Sequence, residues 1–401
     1  MNTGSLMVAK FGGTCLGTPE DRERSVEHCR EMLAGEACDR LVVVVSAMGR
    51  KGDPYATDTL LKLAPSVLPR ERDLLLSCGE VISAVVMASL LRGSGVRAEA
   101  LSGGDAGIVT DGVECDSRIE RVRRQPLLQA LKRAECIVVA GFQGLSTDGR
   151  ITTLGRGGSD SSALALACAL DAESVVLYKK VESVYTADPE LVPGAMEIER
   201  ISSEDLRQLG WQGAKIVHPR AAELAGEKDL PIEVRSHRTG KVVTEITPYV
   251  ISTGRYISGV ASGPEVVQFR VSSPDGAESS AEFFAEVFGR VAEAGVSMDM
   301  FSVYDHSAMF TVAVSSSETV AAVLEDAEIS YRTVGPCTKV SIVGAGMHGM
   351  EGVMARFARA LNRAGATMLQ TVDSHATISA LVELSQREAA LRALHEEFLE
   401  S

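Results

Sequence analysis

The residues with chemistry to do sit in glycine-rich stretches that close apolar runs. In AKFGGT, Lys10 stands just before Gly12 and Gly13. Glycines let backbone amides approach an anion closely, and a lysine beside them can put a compact positive charge on a transferring phosphate. A strand followed by two glycines is equally a plain turn, so this stretch does not decide alone. TTLGRGGSDSSALALACAL, from Thr152 to Leu170, is more specific. Its turn carries Arg156, Ser159 and Asp160 into a helix start, where amides, a guanidinium fork and a hydroxyl face one anion. Asp160 is placed there to orient lysines. Helix capping explains Ser159 and Asp160, but not an arginine between glycines. Lys215 in GAKIVHP offers a second cation, and Glu80 in SCGEVISA heads a helical run. Glu80 either receives a substrate ammonium or simply favours the helix dipole.

These residues need elements to hold them. Short runs rich in Val, Ile and Leu recur at LMVAKFGG, RLVVVVSAMG, ECIVVAGFQG and ESVVLYKK, separated by stretches of helical period such as PEDRERSVEHCREMLAG. Strands alternating with helices imply an α/β fold with a mostly parallel sheet sandwiched by helices. In such sheets ligands gather where strands end and Gly-rich loops lead into helices. After about Arg235 the periodicity weakens, which predicts a boundary near residues 240 to 256. Beyond it a repeat of roughly 65 to 75 residues reads strand, helix, strand, strand, helix twice, predicting two βαββαβ modules. Gly295 in AEAGVSMDM and Gly365 in NRAGATMLQ suit the left-handed end of a helix in each.

VGAGMHGMEG spells GxGxxG with Gly344, Gly346 and Gly349, the signature of a dinucleotide site. The chain after it is too short for the strands such a site needs, so these glycines read as a strand-to-helix turn. The seven histidines form no HxxxH pair, and the single tryptophan, Trp211, reads as a packing residue.

With 401 residues, 45% hydrophobic, the chain is long enough for two or three packed domains. Its net charge of −14 opposes non-specific binding to nucleic acid or to an anionic membrane, and points to a small-molecule partner. Eight cysteines without a CxxC pair suggest neither zinc nor disulfides. The N-terminus lacks a signal-like sequence, and no apolar run approaches the roughly 20 residues that span a bilayer. A soluble cytoplasmic protein is expected.

Together KFGGT, VVVSAMG, LLLSCGE, VVAGFQG, LGRGGSD, YTADP and QGAKIVHP stand in the order and spacing of the aspartate kinases. The chain resembles that family, within the amino acid kinase superfamily, over nearly its whole length, and its tail resembles paired ACT domains. SAMGRKGDPYATD and VDSHATIS are most similar to the short, monofunctional, diaminopimelate-responsive type. The resemblance implies an amino acid kinase domain over residues 1–245 and ACT modules over 256–332 and 333–401. It implies phosphoryl transfer from MgATP to the side-chain carboxylate of L-aspartate, giving 4-phospho-L-aspartate. Lys10 and Lys215 would stabilise the transferring charge, ordered by Asp160, while Ser46, Glu80, Phe142, Arg156 and Ser159 would hold the amino acid. Gly12, Gly13, Lys179, Lys180, Tyr185 and Glu190 fall at nucleotide positions, with Mg2+ needing no protein side-chain cage of its own. Asp299, Met300, Gln370, Asp373 and Thr377 fall where an amino-acid effector would bind, in a homo-oligomer paired through its ACT modules. A carboxylate is already a competent nucleophile, so positioning and charge neutralisation suffice without a strong base.

One stretch departs from the resembled pattern. Where aspartate kinases read TDVDGVYTADPR, this chain reads KKVESVYTADPE: Lys179 for Thr, Lys180 for Asp, Ser183 for Gly and Glu190 for Arg. Cys15 and Asp105 likewise replace Ser and Gln. Bacterial uridylate kinases of the same superfamily carry lysine at the position of Lys180, which is compatible with ATP. Glu190 predicts weaker ATP affinity, since a like charge beside a triphosphate costs on the order of 1 kcal/mol. Two other readings fit the same residues: a same-fold enzyme activating aspartate or an analogue with altered nucleotide use, and a catalytically silent, amino-acid-binding regulatory subunit.

Overall fold

The structure, a computed structural model, describes residues 5–35, 38–180, 184–214, 230–248, 256–273, 280–347 and 349–400. Two compact units divide the chain. Tyr185–Met196 and Trp211–Ala214, which the sequence reading counts within the first 245 residues, group with the C-terminal unit. The reason is apolar packing: Ala187 and Val192 are buried in one cluster with Val353, Phe357 and Leu394.

The first unit opens with β1 (Leu6–Phe11), α1 (Pro19–Ala34), β2 (Arg40–Val45), α2 (Thr57–Leu63), α3 (Pro69–Gly93) and β3 (Ala98–Leu101). It continues with β4 (Ile108–Thr110), β5 (Ile119–Val122), α4 (Gln125–Ala130), β6 (Cys136–Ala140), β7 (Gln143–Ser146) and β8 (Ile151–Thr153). Then come α5 (Gly158–Leu170), β9 (Ser174–Lys179), β10 (Arg200–Ser202), α6 (Ser203–Trp211), β11 (Ile232–Ser236) and β12 (Val242–Thr247). Eight strands form one sheet in the order β10-β12-β11-β9-β1-β2-β6-β3, antiparallel only between β11 and β12. A second sheet has the order β5-β4-β7-β8.

The four Val-rich runs of the sequence are the four adjacent strands β9, β1, β2 and β6. Val42 to Val45 and Ile137 to Ala140 are wholly buried, as strands covered on both faces must be. α3 is long and apolar enough to cross a membrane by length and composition, which the sequence reading did not expect. Half of its apolar window is buried, and it carries the buried carboxyls of Asp73 and Glu80, so it serves as a core helix. Trp211, read as a packing residue, is 54% exposed: α6 turns Leu206 and Leu209 inward, and Trp211 falls off that face.

The C-terminal unit comprises β13 (Gly259–Ser272), α7 (Ser280–Glu293), β14 (Asp299–Val303), β15 (Ser307–Ala313), α8 (Ser317–Asp326) and β16 (Tyr331–Val343). α9 (Val353–Arg363), β17 (Gln370–Asp373), β18 (Thr377–Glu383) and α10 (Arg387–His395) complete it. Its strands make one antiparallel sheet ordered β14-β15-β13-β16-β18-β17. The two modules share strands rather than standing side by side. β16 ends the first and begins the second, and the second is closed by Gly259–Ser262 of β13, paired with Val340 to Val343. The C-terminal residues Glu396–Glu400 instead form a helical turn. Gly295 and Gly365 are left-handed, with φ of 73° and 68°. A Cβ on Gly344 would lie 2.1 Å from the Tyr256 carbonyl oxygen, so the GxGxxG run is a tight turn between β16 and α9.

Candidate active site

The site begins with the alternation of side chains along β1 and β9, parallel neighbours in which Phe11 stands opposite Tyr178. Their rings stack at 4.6 Å between centroids, with His28 of α1 on the far side of Tyr178 at 4.7 Å. Fixing those rings on the α1 face sends Lys10 and Lys179 to the opposite face, diagonal to one another, beneath the start of α5. Asp160 in the first turn of α5 meets both. Lys10 Nζ lies 2.8 Å from Asp160 Oδ1, and Lys179 Nζ lies 3.5 Å from Oδ2. The three side chains are 9%, 8% and 19% exposed for Lys10, Asp160 and Lys179. Burial alone would raise the Asp160 carboxyl, but the two ammonium charges outweigh it and bring it down to about 2. Burial also pulls the Lys179 ammonium below its ordinary value, against the opposing pull of Asp160.

The two glycines after β1 have different duties. A Cβ on Gly13 would come 2.4 Å from the Ala47 carbonyl oxygen, whereas one on Gly12 would meet only Lys10 Nζ, at 3.4 Å. Gly13 is therefore required by packing against the Ser46–Gly49 loop, and its carbonyl accepts the Gly49 N–H at 2.8 Å. Gly12 leaves space beside the lysine. The same loop is gripped from the other side by α3, where a Cβ on Gly79 would approach Ala47 Cβ to 2.8 Å. That close approach brings Glu80 Oε1 to the Ala47 N–H, which donates at 3.0 Å. Glu80 Oε2 is buried with no partner among the described residues, and burial pushes the carboxyl up to about 8. Ser46, half-buried, donates its N–H to the Phe11 carbonyl.

Phe142, just beyond β6, has a φ of 67°, which costs a non-glycine residue on the order of 1 kcal/mol or more. Its N–H donates to Ser162 Oγ in α5 at 3.0 Å, and its carbonyl accepts the Leu154 N–H at 2.9 Å. The bend is thus tied to the helix that carries Asp160. Gly155 and Gly157 are both left-handed and present Arg156, exposed and with no ion-pair partner among the described residues, between them. Ser159 is buried, its Cβ 2.9 Å from where a Cβ on Gly141 would stand. Lys215 lies outside the described residues, as do Ser183 and His218.

A buried cation–carboxylate pair and a Gly-lined turn at the ends of parallel strands suit an anionic group transferred between oxygens. A model of the amino acid kinase family matches residues 5–236, and one of the ACT domain matches residues 340–398. Aspartokinase 1 of Bacillus subtilis (strain 168) is 40% identical over 403 residues, covering 98% of either chain. The chain belongs to the aspartokinases. Aspartokinase of Mycolicibacterium smegmatis is 34% identical, over 98% of this chain and 96% of its own. E. coli aspartokinase III, solved with aspartate and ADP in its R-state, superposes with a TM-score of 0.81 at 22% identity, covering 99% of this chain and all of that one. At that identity the likeness speaks for the fold.

Within this aspartokinase fold the two unusual lysines part company. Lys179 joins Asp160, whereas Lys180 Nζ lies 2.7 Å from Asp21 Oδ2, at the start of α1. Asp21 also closes a capping box with Thr18, and although burial would raise it, Lys180 and Thr18 hold it below the usual carboxylate value. Tyr185 and Glu190 are carried by the C-terminal unit, where the Glu190 N–H donates to Asp188 Oδ1 at 3.0 Å. In that unit Gln370 Nε2 donates to the Met300 carbonyl and to Ser302 Oγ, and Asp299 pairs with Lys339 at 2.7 Å. Asp299, Met300 and Gln370 thus gather, while Asp373 is exposed at the end of β17 and Thr377 is bonded to Ser374. Gln268, which donates to Gln370 Oε1 at 2.9 Å, was missed by the sequence reading, which offers no signal for it. Asp73 was missed too: buried, it accepts from the Cys115 N–H and from Thr153 Oγ1, bracing β8 just before the Arg156 turn. Among the described residues no cluster of three His, Cys, Asp or Glu stands ready for a metal.

Proposed function

We propose that this aspartokinase transfers a phosphoryl group from MgATP to the side-chain carboxylate of L-aspartate, with an amino-acid effector read by its ACT modules. The observation that carries the proposal is the buried Lys10–Asp160 pair beside the open flank of Gly12, in a chain 40% identical to an aspartokinase along its whole length. Asp160, ionised and engaged by ammonium groups, fixes where Lys10 delivers its charge. Lys10 then stabilises the negative charge that grows on the transferring group, and the amides after β1 and at the head of α5 add donors. Asp160 is taken up by lysines and offers no ligand set, so Mg2+ fits this site only as an ion carried on the nucleotide phosphates, where it neutralises their charge.

Glu80 supplies the counter-charge for the ammonium of the amino acid, and its unpartnered Oε2 is the atom that would receive it. Arg156 supplies the fork for a carboxylate, with Ser159 and Ser46 as further donors and Phe142 shaping the wall. Effector binding is assigned to Asp299, Met300 and Gln370, and assembly to a homo-oligomer paired through the ACT modules. Purified protein with MgATP and L-aspartate should release ADP and yield aspartyl hydroxamate when hydroxylamine is present. Neither signal at millimolar substrates would overturn the assignment and favour a regulatory subunit.

A further inference from the structure

We propose that Asp73 is a positioning residue for substrate choice: by tying α3 to the turn before α5 it fixes the spacing between Glu80 and Arg156, and so favours L-aspartate over the longer L-glutamate. The inference rests on the amino-acid reading of Glu80 and Arg156 and deepens it.

Asp73 and Glu80 stand seven residues apart in α3, two helical turns or roughly 10 Å of axis, and both are buried, at 0% and 2% exposure. Between them the Ser77 carbonyl accepts from Gln143 Nε2 of β7 at 2.8 Å, which holds this part of the helix in place. Asp73 reaches the strand that delivers Arg156. Thr153 Oγ1, at the end of β8, donates to Asp73 Oδ1 at 2.5 Å, and the Cys115 N–H donates to Oδ2 at 3.0 Å. Cys115 is itself held at a φ of 65°, a conformation that a non-glycine residue keeps only where its surroundings fix it. Its stretch closes on the same turn: the Ser117 N–H donates to the Thr153 carbonyl at 2.9 Å, and a Cβ on Gly155 would stand 2.4 Å from Asp116 Oδ1. Among the described residues no lysine or arginine pairs with Asp73. Burying a carboxyl on two neutral donors is costly, and an apolar side chain in the same space would avoid that cost. What the carboxyl provides is order. Gly155 and Gly157 leave the backbone on either side of Arg156 free in itself, so the hold on Thr153 decides where the guanidinium starts from. With the ammonium partner and the carboxylate partner at a set separation, the rest of the amino acid lies at a set distance from Lys10. One extra methylene is then out of register, which in a fitted site is worth roughly 10–200-fold.

The test uses the full-length protein, as wild type, Asp73→Ala, Asp73→Asn and Thr153→Val, with L-aspartate and L-glutamate as substrates in the hydroxamate assay and as ligands in titration calorimetry. Asparagine keeps an acceptor for Thr153, and valine removes the Thr153 hydroxyl while keeping its shape. We expect Asp73→Ala and Thr153→Val to raise KM for L-aspartate about tenfold and to lower the aspartate-to-glutamate ratio of kcat/KM by a similar factor, with KM for MgATP unchanged. Asp73→Asn should restore most of both. A merely structural role would lower the melting temperature and the amount of active protein, but not KM or the ratio. Unchanged KM and ratio in Thr153→Val and Asp73→Ala, or equal use of the two amino acids by the wild type, would overturn the proposal. If Asp73→Ala fails to fold, Thr153→Val carries the comparison. Calorimetry separates the two claims. Aspartate affinity that depends on Asp73 and Thr153, in a protein that forms no hydroxamate, sinks the kinase reading alone; hydroxamate with KM and ratio unaltered sinks this one alone. A wild type that neither binds nor turns over L-aspartate overturns both.

Discussion

Glu80 gives the sharpest prediction, because its geometry turns directly into a pH dependence. Its carboxyl is 2% exposed, one oxygen bonded to the Ala47 N–H and the other bare, and its value rises from 4.5 to about 8. A raised value means that the folded protein keeps a proton which the unfolded chain has lost, so stability is greatest below pH 4.5 and declines as pH rises to about 8. At about 1.36 kcal/mol per unit, the decline from this one group between pH 5 and pH 7.5 is about 3 kcal/mol. Glutamine is neutral throughout and keeps an acceptor for Ala47. The melting temperature of Glu80→Gln relative to wild type should therefore climb over that interval, by roughly 6–12 °C for a unit of this size. Thermal melts in a pH series would read it. A difference that stays constant from pH 5 to pH 7.5 would refute the reasoning, because the carboxyl would then titrate alike in both states. The same proton should leave when the ammonium of L-aspartate arrives: near pH 7, calorimetry in buffers of different ionisation enthalpy should show about one proton released per amino acid in the wild type and none in the variant.

Three further outcomes follow from the geometry. Asp160→Asn leaves two buried ammonium groups without their carboxylate; it should abolish hydroxamate formation and cost about 3–5 kcal/mol in denaturant unfolding near pH 7. Because the folded value of Asp160 is depressed, its contribution is present above pH 3.8 and is lost as pH falls towards about 2, so the gap between the two proteins should close in acid. Gly13→Ala should destabilise by about 2 kcal/mol or more through its clash with Ala47, whereas Gly12→Ala should fold normally and lose nucleotide affinity, as melts and calorimetry would show. Lys180→Met removes a cation that is 44% exposed, so it should cost no more than about 1 kcal/mol in denaturant unfolding near pH 7.

Much of this was legible in the sequence because it is written in local pattern. The Val-rich runs became the central strands, and the turns rich in glycine became the ends where Lys10, Arg156 and Asp160 stand, whereas Glu80, read as heading a helical run, lies in the middle of α3, whose first turn begins at Pro69. The remainder depends on pairings between distant residues. Lys179 and Lys180 are neighbours in sequence and looked like one charge problem, but strand alternation sends one to Asp160 and the other to Asp21. Gly79 sits inside an ordinary helical pattern, and only the approach of α3 to the loop after β2 explains why a side chain cannot stand there. Tyr185 and Glu190 follow β9 so closely that sequence order assigns them to the first unit; the apolar contacts of Ala187 and Val192 place their segment in the other. The second module likewise seemed to need a closing strand from the C-terminus, since pattern cannot show that an earlier strand is long enough to serve twice.

That doubly used strand has a consequence for how the C-terminal region can be taken apart. β13 and β16 pair with one another at the centre of the shared sheet, so a cut between α8 and β16 would strip a neighbour from β13 and from β16 at once. Neither half would keep a complete sheet, and each would expose a raw edge inviting aggregation. The pair should accordingly be inherited, expressed and degraded as an indivisible piece, and recombination between relatives should be tolerated before residue 256 far better than near residue 330.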